Sequence, residues 1–321
     1  MTMQKDIAND PNYVAVLDKG FVGLVAVLGD DAAIVRAARV SYGEGTKSVR
    51  EDRSLIRYLF RHSHFSPIEM GEVVFHLKLP IFVMRQITRH RSASLNEYSG
   101  RYSIMTDEFY LPEPEAIQRQ SEDNRQGRDG TVSQTSQDGV RWLLEAAYET
   151  SYDVYQTLLG ERDPDHFFQG AVPYGAYDDD DPLLTEDFPG IARELARIVL
   201  PVANYTEVYW KQDLRNLLHL LRLRTDKHAQ DEVRAFAEAM YSLIKPRFPL
   251  ACEAYEDYMR DSVTLTRFDI ILLKKLLDAN RAAETLSKML LDAGGLKELA
   301  QQHDMTKREL DEFIDKLGFD Q

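Results

Sequence analysis

Residues 73–87 read VVFHLKLPIFVMRQI, and their period changes in the middle. From Val73 to Leu79, Val73, Phe75, Leu77 and Leu79 fall on one side of an extended chain, with His76 and Lys78 on the other. Successive strand residues face opposite ways, so this pattern predicts a half-buried strand. Pro80 ends it. Its missing N–H suits the first turn of a helix, where that group is unpaired anyway, and residues 81–88 (IFVMRQIT) read as that helix. Upstream, residues 13–29 form two short apolar runs around Asp18, Lys19 and Gly20, a hairpin-like signal. Helices are expected from Asp30 to about Val40 and from Ser48 to His62. Downstream, 118–139 is polar and glycine-bearing and reads as a mobile loop, 140–160 returns to helical spacing, and 185–258 is almost continuously helical in pattern. A spacer at 261–267 leads to short helices at 268–292, 296–303 and 306–317. Strands near the N-terminus and a helix-rich second half predict an α+β (mixed α/β) fold with a C-terminal helical extension. The domain expectation is 1–260 for the main body and 261–321 for the extension.

Composition narrows the function. The chain has 321 residues, 39 basic against 53 acidic, and a net charge of −14. Such a chain repels nucleic-acid phosphates and anionic membranes overall, so neither is an expected partner. A single cysteine, Cys252, rules out an intramolecular disulfide. The first twenty residues lack a signal-peptide pattern, and no apolar run approaches the ~20 residues of a membrane span. A cytoplasmic setting is the expectation. The acidic run Asp178–Asp181 reads as a solvated turn rather than a metal site.

Against that background one segment reverses sign. Residues 85–101, RQITRHRSASLNEYSGR, carry Arg85, Arg89, His90, Arg91 and Arg101 with Glu97 as the one acid. Arginine forks grip phosphate or carboxylate, and serine, asparagine and glycine add further donors. On composition alone, a solvated basic loop paired with the acidic surface is equally open. A second constellation, 210–230 (WKQDLRNLLHLLRLRTDKHAQ), read as one helix, puts Arg224 and His228 one turn apart beside Leu217, Leu220 and Leu221, and Arg215 with His219 on the opposite side. A cation on an apolar stripe needs a counter-charge or a ligand. Glu194 or Glu207 could supply the former. Arg193 and Arg197 could converge on the same anion. A third group, HSHFSPIE (62–69), offers His64 as a ligand contact or base, with a structural histidine equally open; it lacks a further ligand pair, so no metal is expected.

These pieces in order resemble a family. RHRSASLNEYSGRYS (89–103) is similar to the signature of flavin-dependent thymidylate synthases. HFSPIE (64–69), PIFVMRQ (80–86), ARELARIVLP (192–201) and LRLRTDKHAQ (221–230) fall in matching positions, so the likeness spans roughly residues 13–258. The resemblance implies a homotetramer with active sites shared between subunits. It also implies methylation of dUMP to dTMP, with methylenetetrahydrofolate as carbon donor and NADPH reducing bound FAD. By motif, Ser66, Arg89, His90, Arg91, Glu97, Asp213, Leu214, Arg215 and His219 would contact FAD. Gln86, Arg89, Glu97, Ser99, Gly100, Arg101, Arg197 and Arg224 would hold dUMP, with Arg224 the catalytic cation. His64 and His228 would lie near flavin and folate. Asp213 and His219 depart from members that carry asparagine there. Two rivals stand beside this reading: another flavin-dependent nucleotide-modifying transferase, and a non-catalytic interaction protein. The 296–321 segment, with 4 basic and 7 acidic residues, speaks against DNA contact. Cys252, among apolar and acidic neighbours, reads as a buried structural thiol rather than a nucleophile.

Overall fold

The computed structural model describes residues 9–40, 52–122, 125–161 and 189–268, together with 270 and 273. The chain divides into two units, 1–260 and 261–321. The expected helices beyond 273 and the acidic run 178–181 lie outside the described residues.

A five-stranded antiparallel sheet organises this unit. Its strands are β1 (Tyr13–Val16), β2 (Gly20–Leu28), β3 (Glu72–Pro80), β4 (Ala93–Glu97) and β7 (Tyr205–Asp213), in the order β1-β2-β3-β7-β4. The hairpin and the strand read at 73–79 are both present. β3 sits in the middle, and its alternation is real: Phe75 lies opposite Trp210 and Leu77 opposite Val208, on one fully buried face. The other face is not open to water as expected. His76 and Lys78 are also buried, because His76 stacks on Tyr209 at 4.7 Å and bonds Glu207, while Lys78 pairs with Glu108 at 2.7 Å. A central strand gains a second cover, and its polar side chains are tolerated because each has a partner.

Helices α1 (Asp31–Val40) and α2 (Asp52–Arg61) follow the hairpin, and α3 (Ile81–Ile87) follows Pro80 as expected. The polar stretch 118–139 is more ordered than expected. It contains a small hairpin, β5 (Arg119–Gln120) with β6 (Arg128–Asp129), and then the start of α4 (Gln134–Leu158), whose first turn is capped by Ser133. Local hydrogen bonding and the ion pair of Arg128 with Asp231 do here what apolar burial does not. After a short turn α5 (Arg193–Ala196), the expected continuous helix is replaced by β7 and three separate helices: α6 (Leu214–Arg224), α7 (Asp231–Ile244) and α8 (Pro249–Tyr255). Leu217, Leu218, Leu220 and Leu221 of α6, Val233, Phe236 and Met240 of α7, and Ile56, Leu59 and Phe60 of α2 join the buried sheet face in one core.

Candidate active site

The sheet delivers two chain reversals to the same place. β7 ends at Asp213, whose carboxylate accepts the Asn216 N–H at 2.9 Å and so caps α6. Such a cap satisfies a helix N–H that has no intrahelical partner, and this one ends the strand and fixes where α6 begins. β3 runs through Pro80 into α3, and the turn after α3 carries Arg89, His90 and Arg91. The turn after α3 therefore meets α6, and the last turn of α6 reaches the α3 main chain.

At their junction the His90 ring lies 5.2 Å from that of His219, and His90 Nε2 stands 2.9 Å from the Asn216 carbonyl oxygen. A carbonyl only accepts, so Nε2 carries the proton and Nδ1 is the free acceptor of the neutral ring. Burial holds His90 below the ordinary histidine range, with His219, Arg224 and Arg215 adding to it; His219 is lowered by burial and then by Arg215 and Arg222. The segment bearing His64 and Ser66 docks beside them: the Leu214 N–H donates to the Gly71 carbonyl at 2.8 Å, and the Arg215 guanidinium lies 5.5 Å from the Phe65 ring centre. Leu214 is fully buried and acts through its backbone position, whereas His64 and Ser66 are exposed. Gln212 fixes the basic turn by donating to the Arg91 carbonyl at 3.1 Å.

Arg224, at the last turn of α6, is only partly satisfied. Its Nη2 donates to the Gln86 carbonyl at 3.1 Å, while its buried Nε has no partner among the described residues. Burial and then Arg89 push it below the usual arginine value. The internal salt bridge that the sequence allowed does not form: Glu194 pairs with Arg101, and Glu207 with His76. His228 also departs from expectation. α6 stops at Arg224, so His228 is off the helix, exposed, and bonded to Asp226 at 2.8 Å. Gln230, which sequence reading left without a role, accepts from Gln86 Nε2 at 2.6 Å.

The remaining expected residues lie at the other end of β4. Glu97 accepts from Thr206 at 3.0 Å, and Ser99 opens a turn whose carbonyl accepts from Tyr102 and Ser103. Gly100 packs so closely that a Cβ there would sit 2.8 Å from the Met105 sulfur and 3.1 Å from Arg197 Cδ. Arg101 reaches Glu194 at 3.1 Å, and both side chains are more than half exposed. Arg193 turns to the Tyr102 carbonyl instead of joining Arg224. At ~3.3 Å per residue, β4 sets Glu97 roughly 13 Å from Ala93, so Glu97 and the Ser99–Arg101 turn leave the strand at the end opposite to the one that Arg89, His90 and Arg91 enter.

The comparisons bear on this layout. Residues 23–250, which include both groups, match the family described as thymidylate synthase complementing protein. A flavin-dependent thymidylate synthase of Rickettsia conorii is 41% identical over 306 residues, covering 95% of this chain and 93% of the relative. One from Thermus thermophilus is 44% identical over 292 residues, covering 91% and 96%. The chain belongs to the flavin-dependent thymidylate synthase family. Among solved structures, a UMP/dUMP methylase from Streptomyces cacaoi bound with 5-Br dUMP is similar, with TM-score 0.62 and 30% identity over 77% of this chain and 99% of that one. The α+β expectation and the family resemblance are thus both borne out. Within the family's matched span the described helices include none long and apolar enough to cross a membrane, and no group of three metal-ligating side chains occurs among the described residues.

Proposed function

We propose that this chain methylates dUMP to dTMP, with methylenetetrahydrofolate supplying the carbon and NADPH the electrons through FAD. The observation that carries the reading is Arg224, a half-buried guanidinium with an unpartnered buried Nε, facing Arg89 rather than a carboxylate. A buried cation in cationic surroundings is costly by itself and is stabilised when an anionic ligand binds. Uracil becomes nucleophilic at carbon when negative charge spreads onto its ring oxygens, and a guanidinium that stays protonated stabilises that charge. Arg224 is the catalytic residue in this account. Gln86 and Arg89 orient the ring beside it.

The donor set also fits a flavin dinucleotide. Arg91 and Arg215 supply positive charge and N–H donors for its phosphates, His219 adds an N–H donor, His90 is a neutral ring with a free Nδ1, and Ser66 and Asp213 border the same face. When bound, the flavin supplies two-electron redox chemistry. His64 and His228, exposed at the edge, are assigned to the flavin and folate side.

The second group, Glu97, Ser99, Gly100, Arg101 and Arg197, belongs to the dUMP phosphate and sugar of a neighbouring copy's site in this proposal. β4 is an edge strand with Leu95 exposed, Tyr98 is exposed just after it, and Leu195, Ile198 and Val202 add apolar exposure. A homotetramer with shared sites covers that surface and reunites the two groups. Residues 1–260 form the catalytic domain in this proposal, and 261–321 an appended segment. The direct test is dTMP formation by purified, yellow protein. It is expected only when dUMP, methylenetetrahydrofolate, NADPH and FAD are all present. Colourless folded protein, or NADPH oxidation without dTMP, would count against the proposal.

A further inference from the structure

Glu232, the second residue of α7, is the most buried carboxylate among the described residues, 2% exposed. Its Oε1 accepts from Tyr110 Oη and from Arg128 Nη1, each at 3.0 Å, and its Oε2 accepts from Gln230 Nε2 at 2.8 Å. A carboxylate has no proton to offer, so the Gln230 amide must turn its nitrogen toward Glu232. Its oxygen then points the other way, where it accepts from Gln86 Nε2 at 2.6 Å. That contact in turn sets the Gln86 amide, leaving Gln86 Oε1 as the acceptor on the opposite side. The Gln86 main chain is held independently, by the bond from Arg224. Gln230 is exposed and Gln86 only half-buried, and among the described residues this chain of bonds is what fixes which end of each amide is donor and which is acceptor.

We propose that Glu232 is a positioning residue for the nucleotide: through Gln230 it fixes the donor–acceptor polarity of Gln86, without touching the substrate. The inference rests on the reading of Gln86 as a dUMP contact. Its force comes from direction. An amide presented the wrong way round offers a donor where the ligand needs an acceptor, and a mismatched polar pair in a desolvated site is costly.

An isosteric change reverses the relay. In Glu232→Gln the new amide oxygen must serve Arg128 and Tyr110, so its NH2 faces Gln230 and turns both glutamines over. The expected result is a KM for dUMP raised about tenfold with kcat within about threefold of wild type, since one misdirected hydrogen bond is worth about that factor. Adding Gln230→Glu to that variant restores an acceptor on both sides of position 230 and is expected to return the KM to within about threefold of wild type. Tyr110→Phe removes a Glu232 partner outside the relay and should leave the KM unchanged. If Glu232→Gln does not fold, Gln230→Leu breaks the same link at an exposed position and should give the same rise in KM. Flavin absorbance and melting midpoint report folding for every variant. A wild-type KM in folded Glu232→Gln or Gln230→Leu, or a double variant no better than Glu232→Gln, overturns the relay. Gln86→Ala separates the two readings. If it raises the KM while the relay variants do not, only the positioning role fails; if it leaves the KM unchanged, the assignment of Gln86 to dUMP fails and the relay with it.

Discussion

Two sets of arginines lie against helices of this acidic chain, and they are treated in opposite ways. On α2, Arg57 is 8% exposed and pairs with both Glu253 and Asp257, while Arg53 bonds Glu253 at 2.9 Å. On the α3–α6 face, Arg89, Arg91, Arg215 and Arg224 meet histidines, amides, carbonyls and one another, with no carboxylate ion pair among the described residues. In the first seam the protein completes its own charge balance, and the arginines fasten α8 to α2. In the second the function proposed above has the counter-charge come from a ligand. A net charge of −14 provides carboxylates in excess, so the lack of a carboxylate partner for these four arginines among the described residues is informative.

Breaking the comparison on the ligand side should give the largest effect. Arg224→Ala is expected to lower kcat/KM for dTMP formation at least a hundredfold, roughly 3 kcal/mol of transition-state stabilisation, with the melting midpoint of the ligand-free protein unchanged or raised. Steady-state kinetics and thermal unfolding measured on one preparation check both halves. Arg57→Ala should do the reverse. Loss of a largely buried cation with two partly exposed partners is expected to cost about 2 kcal/mol in denaturant unfolding while the folded fraction keeps its activity. If Arg57→Ala lost turnover without losing stability, the division between the two seams would be wrong.

A smaller effect comes with pH. His90 and His219 lie below the ordinary value of 6.5 in the folded chain. Between 6.5 and their depressed values the unfolded chain therefore binds protons that the folded chain does not, and stability falls as the pH drops through that window. The melting midpoint should decline from pH 7 toward pH 5, and the paired change of both histidines to asparagine should flatten that slope. Carboxylates held low by cations, such as Glu253, lose their contribution only at more acidic pH, below about 4.5. The smallest effect belongs to Cys252. It is fully buried, and burial, with Asp31 and Glu256, pushes its thiol up to about 12. Cys252→Ala should keep dTMP synthesis within a few-fold of wild type, at a stability cost of about 1 kcal/mol for the lost packing.

The same contrast shows what a sequence can disclose. β3 and α3 were legible because alternation and a proline mark them locally. β7 was missed although Thr206, Val208, Trp210 and Gln212 alternate inward, because the leucines of α6 extend a helical spacing backwards over it; Asp213, a capping residue, was the overlooked stop signal. The cationic residues of the site were legible through their reversal of the chain's overall charge. Gln230 and Glu232 were not, since neutral amides and a carboxylate in an acidic chain become informative only when three-dimensional proximity reveals whom they bond. His228 was misplaced for a related reason: spacing cannot report that a helix ends at Thr225.

The separation of the two candidate dUMP groups along β4 leads to the central claim, that one copy supplies Arg224 and another supplies Arg101 to the same site. Mixing separately inactive Arg224→Ala and Arg101→Ala proteins, after subunit exchange, tests it most directly. Sites shared between copies should recover roughly a quarter of wild-type dTMP formation from an equal mixture, because a symmetric assembly then joins both intact residues in about that fraction of sites. If the mixture stays as inactive as its components although mixed oligomers have formed, both arginines act within one chain, and the shared-site account is contradicted.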